Sequence, residues 1–302
     1  MKLLKTGTTH CHFKKIFGEI DCLKKIKECG FDSADFALNA YQADYDYFRP
    51  DDGYFLLKQE KELKEYFGNL KKIADEIGLE IGQVHAPYYF IDPEKMLEKK
   101  FIKRFENSVK ATRFLGSDYL VVHPIVLDDP ENNYKKNLQM NAEFYGSLYS
   151  VMKEYGVTVA VENMDAINPL KKTGVPSTVS SGEKINDILD LLGEGYCACL
   201  DTGHAFVAGQ EPAHMARILG NRLKLLHLHD NDGNDDLHTP PRCGYINWDD
   251  FLQALKDINY KGYINMEVDY LRLTHDKNTI CAFGKAMNEM AKEFALTINE
   301  KS

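Results

Sequence analysis

Residues 225–248 read LLHLHDNDGNDDLHTPPRCGYINW. His227 and His229 alternate with leucines in an apolar run, so as a strand it turns both imidazoles to one face. A polar loop follows at once, carrying Asp230, Asp232, Asp235, Asp236 and His238, and from Trp248 to Ile258 the apolar spacing becomes helical. The stretch is therefore one unit of strand, polar loop and helix. Imidazole and carboxylate at the end of a strand form the kind of ligand set that zinc, manganese and cobalt prefer. Taken alone, the same residues read equally well as a solvated acidic loop with two core histidines.

Working outward, the unit repeats. Strands are expected at 3–8, Phe31–Ala37, Glu80–Val84, Asp118–Val122, Val157–Val161, Tyr196–Leu200, Leu223–His229 and Tyr263–Met266. Between and after them, helical spacing covers Phe17–Cys29, Lys58–Ile77, Pro93–Leu115, Tyr134–Tyr155, Glu183–Leu192, Pro212–Leu219, Trp248–Ile258 and Thr279–Leu296, several closed by glycine. Two polar excursions, Leu38–Phe55 and Asn163–Ser181, interrupt the pattern, and loops as long as the first are usually functional or disordered. Eight strand and helix pairs in 302 residues point to a parallel, closed (β/α)8 TIM barrel, a single domain over 1–302. No Gly-x-Gly-x-x-Gly turn follows the first strand, so a dinucleotide-binding fold has no support.

Composition narrows the function classes. Apolar residues at 44% and charged residues at 27% suffice for a packed core. A net charge of −9 disfavours non-specific contact with nucleic acid or an anionic membrane. Neither a secretory h-region nor a membrane-length apolar run is present, and a cytoplasmic location is expected. The seven cysteines contain no C-x-x-C pair and read as buried free thiols.

Counting from the third, six expected strands end in a residue able to bind metal: His85, His123, Glu162, Asp201, His229 and Glu267. A barrel gathers such ends on one rim, where barrel active sites lie. Each carboxylate follows an apolar run and needs a cation or a hydrogen-bond network to offset its burial. His204, three residues after Asp201, and the pair Asp236 and His238 offer further ligands or second contacts. Asp232 and Asp235 read as solvated loop residues, and Trp248 as cover for a barrel edge.

With these residues in view, the chain resembles the xylose isomerase-like barrel superfamily, which takes in ketose epimerases, inosose isomerases and dehydratases, and the zinc apurinic endonucleases. The sugar branch implies one divalent ion on four ligands: Glu162 in VENM, Asp201 in CLDTGH, His229 in HDND and Glu267 in INME. His227 with Asp230 fits the histidine position almost as well as His229 with Asp232. The endonuclease branch implies extra ligands, matched in type by His85, His123, His204, Asp236 and His238. Its Gly-x-Gly segment is replaced here by Arg242-Cys243-Gly244, and no concentration of phosphate-neutralising residues is visible.

The resemblance implies a metal-dependent isomerase or epimerase of a small sugar, sugar phosphate or cyclitol, with zinc or manganese favoured over cobalt and magnesium. Glu162 and Glu267 would exchange a proton next to a carbonyl, while His204, His85 and Arg242 would hold hydroxyl or phosphate groups. A homo-oligomer is compatible with this reading. The alternatives are a metal-dependent phosphodiesterase of the apurinic endonuclease type and a non-catalytic sugar-binding barrel.

Overall fold

Short runs rich in β-branched and apolar residues pair in parallel, each returned to the sheet by a helix whose apolar face packs against it. The computed structural model describes residues 3–41, 55–87, 93–127, 132–167, 174–177 and 179–300. The strands are β1 (Thr6–Thr9), β2 (Ser33–Ala37), β3 (Glu80–His85), β4 (Tyr119–Val122), β5 (Thr158–Glu162), β6 (Asp165–Ile167), β7 (Gly174–Pro176), β8 (Tyr196–Asp201), β9 (Leu223–His227) and β10 (Ile264–Met266). Eight of them form one parallel sheet in the order β10-β1-β2-β3-β4-β5-β8-β9. The open edges of β9 and β10 meet through a single parallel bridge, Leu228 to Met266, with Leu228 N donating to Asn265 O at 2.9 Å and Glu267 N to Leu228 O at 3.0 Å. The result is a nearly closed (β/α)8 TIM barrel, as the alternation predicts.

Element ends and breaks differ from the sequence reading in instructive places. The expected Phe17–Cys29 helix runs from Glu19 to Glu28, and a separate helix that was not expected, Cys11–Phe17, precedes it across Gly18, whose φ of 80° no helix accommodates. The expected Tyr134–Tyr155 helix is two, Tyr134–Ser147 and Tyr149–Tyr155, and closes on Gly156 in the left-handed conformation as the sequence suggests. Part of the excursion after β5 pairs as a small antiparallel hairpin, β6 with β7. The centre of the Leu38–Phe55 segment lies outside the described residues. Strand β9 stops at His227, two residues short of expectation, and the next residue, Leu228, pairs with Met266 through an isolated parallel bridge. A six-residue helix, Thr202–Val207, follows β8 without a loop.

Most of the core lies between sheet and helices. A second, smaller cluster of Val121, Ala160, Cys197, Cys199 and Leu225 fills the barrel itself. Among the described residues no helix is long and apolar enough to cross a membrane.

Candidate metal centre

The parallel register brings the strand ends onto one rim, and there the ionisable side chains meet. Glu162, the last residue of β5, is the hub: Oε2 lies 3.2 Å from His85 Nε2 and 3.1 Å from His123 Nε2, and Oε1 lies 2.7 Å from His227 Nδ1. Glu267, directly after β10, brings Oε2 to 3.0 Å from the same His227 nitrogen. Asp201 ends β8, caps the helix that follows by accepting His204 N at 2.7 Å, and faces His229 Nε2 at 2.9 Å. Asn163 ties β5 to β8 by donating Nδ2 to Asp201 O and accepting Asp201 N, at 2.8 and 2.7 Å. Asp236 completes the rim, with Oδ2 2.9 Å from His238 Nε2 and 3.4 Å from His204 Nε2.

Local sequence explains this closeness. In the stretch from Asp201 to His204, a Cβ on Gly203 would fall 1.8 Å from His229 Cε1, so only glycine lets the helix start against that ring. Thr202 Oγ1 bonds to His229 O at 2.7 Å and holds the loop beside it. His238 adopts a left-handed φ of 49°, a conformation that costs energy and is held here by its two ring contacts.

Three histidines share one pattern. His85 donates Nδ1 to Ala86 O at 2.7 Å, His238 donates Nδ1 to Glu267 O at 2.9 Å, and His204 Nδ1 lies 3.1 Å from Asn163 O. In each case a backbone carbonyl fixes the ring and Nε2 is left facing a carboxylate. That is how metal-binding imidazoles are oriented. Among the described residues, the buried oxygens Oε2 of Glu267 and Oδ1 of Asp236 have no aligned hydrogen-bond donor, a need that a cation would satisfy. Three groups draw ligand atoms within 4.8 Å of one another: Glu162, Asp201, His227 and Glu267; His85, Glu162 and His227; and His204, Asp236 and His238. The donors present therefore fit divalent metal.

Electrostatics agree with the geometry. Burial alone would raise the carboxyl of Glu162, but His227 and His123 outweigh it and hold the group well below the usual range. Burial is likewise outweighed at Asp236 by His238 and His204, and at Glu267 by His227. Desolvation would favour neutral rings at His204 and His238, yet Asp201 and Asp236 hold His204 well above its ordinary value, and Asp236 raises His238 to about 10. Burial wins only at His123, whose pKa is lowered. Without metal, these directions favour ionised Glu162, Asp236 and Glu267 beside protonated His204 and His238.

Both histidines of the stretch reach the rim. His227 groups with Glu162, Asp201 and Glu267, and His229, the ligand the resemblance implies, faces Asp201 at 2.9 Å, lies 3.7 Å from Asp236 Oδ1 and stacks on His238 at 3.9 Å. Alternation puts both histidines on one face but says nothing about depth, and His227 sits level with Asp201 in the β8 to β9 register. Arg242 is taken up by Asp249 at 3.2 Å and Glu293 at 3.6 Å over the Phe294 ring. Asp232 and Asp235 are exposed loop residues as expected, and Trp248 is buried with Nε1 donating to Asp230 at 2.7 Å. Unforeseen is Asp35, a buried carboxylate in the middle of β2; its signal, an acid inside the short buried run SADFA, was available in the sequence.

The family model described as "Xylose isomerase-like TIM barrel" matches residues 23–290. An inosose isomerase from Bacillus velezensis is 24% identical over 231 residues, covering 72% of this chain and 75% of that protein. Among solved structures, a D-tagatose 3-epimerase-like protein superposes with a TM-score of 0.72 at 22% identity, covering 97% of this chain and 98% of the other. The IOLI protein, whose structure contains a bound zinc atom, superposes with a TM-score of 0.68 at 16% identity over 98% of each chain.

Proposed function

Since the chain belongs to the xylose isomerase-like TIM barrel family, whose relatives include sugar isomerases and epimerases, we propose that it is a divalent-metal-dependent isomerase or epimerase of a small ketose, sugar phosphate or cyclitol. The observation that carries this reading is the pair Glu162 and Glu267, which come from opposite parts of the sheet order and converge on one nitrogen of His227 at 2.7 and 3.0 Å. Two ionised carboxylates on either side of a bound sugar can act in turn as base and acid on adjacent carbons. Their depressed pKa values keep both deprotonated near neutrality.

Glu162, Asp201, Glu267 and the His227 and His229 pair would hold the ion. Zinc or manganese suits this mixture of imidazole and carboxylate. When bound, such an ion supplies Lewis-acid polarisation of the substrate's carbonyl and hydroxyl oxygens. His85 and His204 stand beside Glu162 and Asp201 to receive substrate hydroxyls.

The test is solvent exchange. Incubated in deuterated water with a panel of ketoses and an inosose, the protein should place deuterium on the carbon next to the carbonyl of its substrate. Turnover without label would replace proton transfer by a hydride shift, and neither turnover nor label with any of the panel would overturn the reading. One observation favours a second reading: the His204, Asp236 and His238 group adds ligands beyond those one ion needs. Several ions activating water against a phosphodiester would use them, and nicking of abasic duplex DNA separates the two activities.

A further inference from the structure

Two residues back from the rim, the barrel interior holds a second polar layer with no part in the proton transfer. Asp35, in the middle of β2, is 2% exposed. Its Oδ2 accepts from Gln83 Nε2 of β3 at 3.1 Å and from Asn265 Nδ2 of β10 at 3.0 Å, and lies 3.0 Å from His227 Nε2 of β9, a close charge contact that is not aligned as a hydrogen bond. Room for the layer is made by Gly7 of β1, where a Cβ would come within 2.7 Å of Asn265 Oδ1 and 2.6 Å of Ser33 Oγ.

A carboxylate buried at the centre of a barrel is unfavourable unless compensated, and apolar residues fill the same depth on β4, β5 and β8. Asp35 faces a ring with two nitrogens. With Nε2 turned to Asp35, only Nδ1 is left for Glu162 and Glu267. The ring is thus set from below, and through it the spacing of the two carboxylates above.

We propose that Asp35 is a positioning residue, which aims His227 Nδ1 at Glu162 and Glu267 and so sets the donor arrangement of the metal centre. The proposal rests on the reading that the rim binds a divalent ion, and is independent of which substrate is turned over. A buried carboxylate that oriented a metal-side histidine would act as outer-shell partners do, where substitution typically weakens binding about 10–100-fold.

Asp35→Asn keeps the shape and an acceptor for Gln83 and Asn265 while removing the charge that faces His227. Zinc affinity of the full chain, measured by competition with a chromogenic chelator, should fall about 10–100-fold, with the metal-free far-UV spectrum unchanged. His227→Gln should also weaken zinc, and the double variant should bind no more weakly than His227→Gln alone, because Asp35 acts through that ring. Wild-type affinity in Asp35→Asn, or losses that add in the double variant, would overturn the proposal. Should Asp35→Asn fail to fold, long-range 1H–15N spectra of the wild type decide: on zinc addition His227 should keep its Nε2 proton, and loss of that proton to metal overturns the assignment. A wild-type chain that binds no zinc, manganese or cobalt would instead refute the metal reading beneath it.

Discussion

Along β4, β5 and β8 the barrel interior changes character within two residues. Val121, Ala160 and Cys199 belong to a dry cluster with Cys197 and Leu225, whereas His123, Glu162 and Asp201, two positions further on, belong to the charged rim. Successive interior positions on a strand are about 7 Å apart. Over that distance the strands pass from residues that need no partner to residues that are tolerable only because they neutralise one another. The same split between a stabilising face and a reactive face is general in these barrels. Here it is sharp enough to test by substitution on each side of the line.

The largest effect should come from the rim. Glu162→Gln preserves size and an oxygen donor but removes the base, so isotope exchange or turnover of the substrate identified as above should fall by about 10²- to 10⁴-fold while substrate still binds. Steady-state kinetics with parallel metal analysis measures this. Loss of metal together with activity would show that Glu162 matters as a ligand only.

On the other side, Leu225→Ala should leave rate constants near wild type and cost about 2–5 kcal/mol of stability, read from urea denaturation. A large loss of activity without loss of stability would mean that the floor takes part in the chemistry, and the division would fail. Zinc stoichiometry sharpens the rim further. If His204, Asp236 and His238 hold an ion of their own, titration should exceed one equivalent per chain and fall by one in His238→Ala. A strict single equivalent in both proteins would leave these side chains to substrate.

How much of this was legible in the sequence follows from periodicity. Strand ends are visible because apolar runs stop abruptly at His85, His123, Glu162, Asp201 and Glu267, and alternation is a local property. Depth is not local. His227 and His229 are equivalent to any pattern of period two, and only the register of β9 against β8 puts His227 opposite Asp201. Arg242, which the resemblance offers for a hydroxyl or phosphate group, has its partners Asp249 and Glu293 7 and 51 residues away, and a pairing with the last helix has no sequence signal. Asp35 was passed over for the opposite reason. It lies inside a strand rather than at its end, and its partners Gln83, His227 and Asn265 are spread over the chain. The break at Leu148 is also invisible, since apolar spacing continues across it, and the short helix Cys11–Phe17 before Gly18 lies outside the expected helices.

The smallest effect is the most discriminating, because pH acts on both sides of the line at different values. In the metal-free protein, Asp236 raises the pKa of His238 against the opposing effect of burial to about 10, and His204 moves the same way. A group whose pKa is higher in the folded state stabilises fully below its unfolded value, about 6.5 for histidine, and that contribution is lost as pH rises toward the folded value. Stability of chelator-treated protein should therefore begin to decline between about pH 6.5 and 8. The floor responds later. Burial pushes the Cys197 thiol up to about 12, and Cys199 upward as well, so unfolding is favoured through these thiols only above about 8.5, the value for an exposed cysteine. Urea midpoints at pH 6.5, 8 and 9.5 test this: the imidazoles act in both intervals and the thiols only in the second, so His238→Ala should lessen the decline in both, and a Cys197→Ala and Cys199→Ala double variant should lessen it in the second alone. If the double variant flattens the first interval instead, or His238→Ala leaves it unchanged, the rim is not held together by protonated imidazoles, and its carboxylates must be neutralised by some other means before metal arrives.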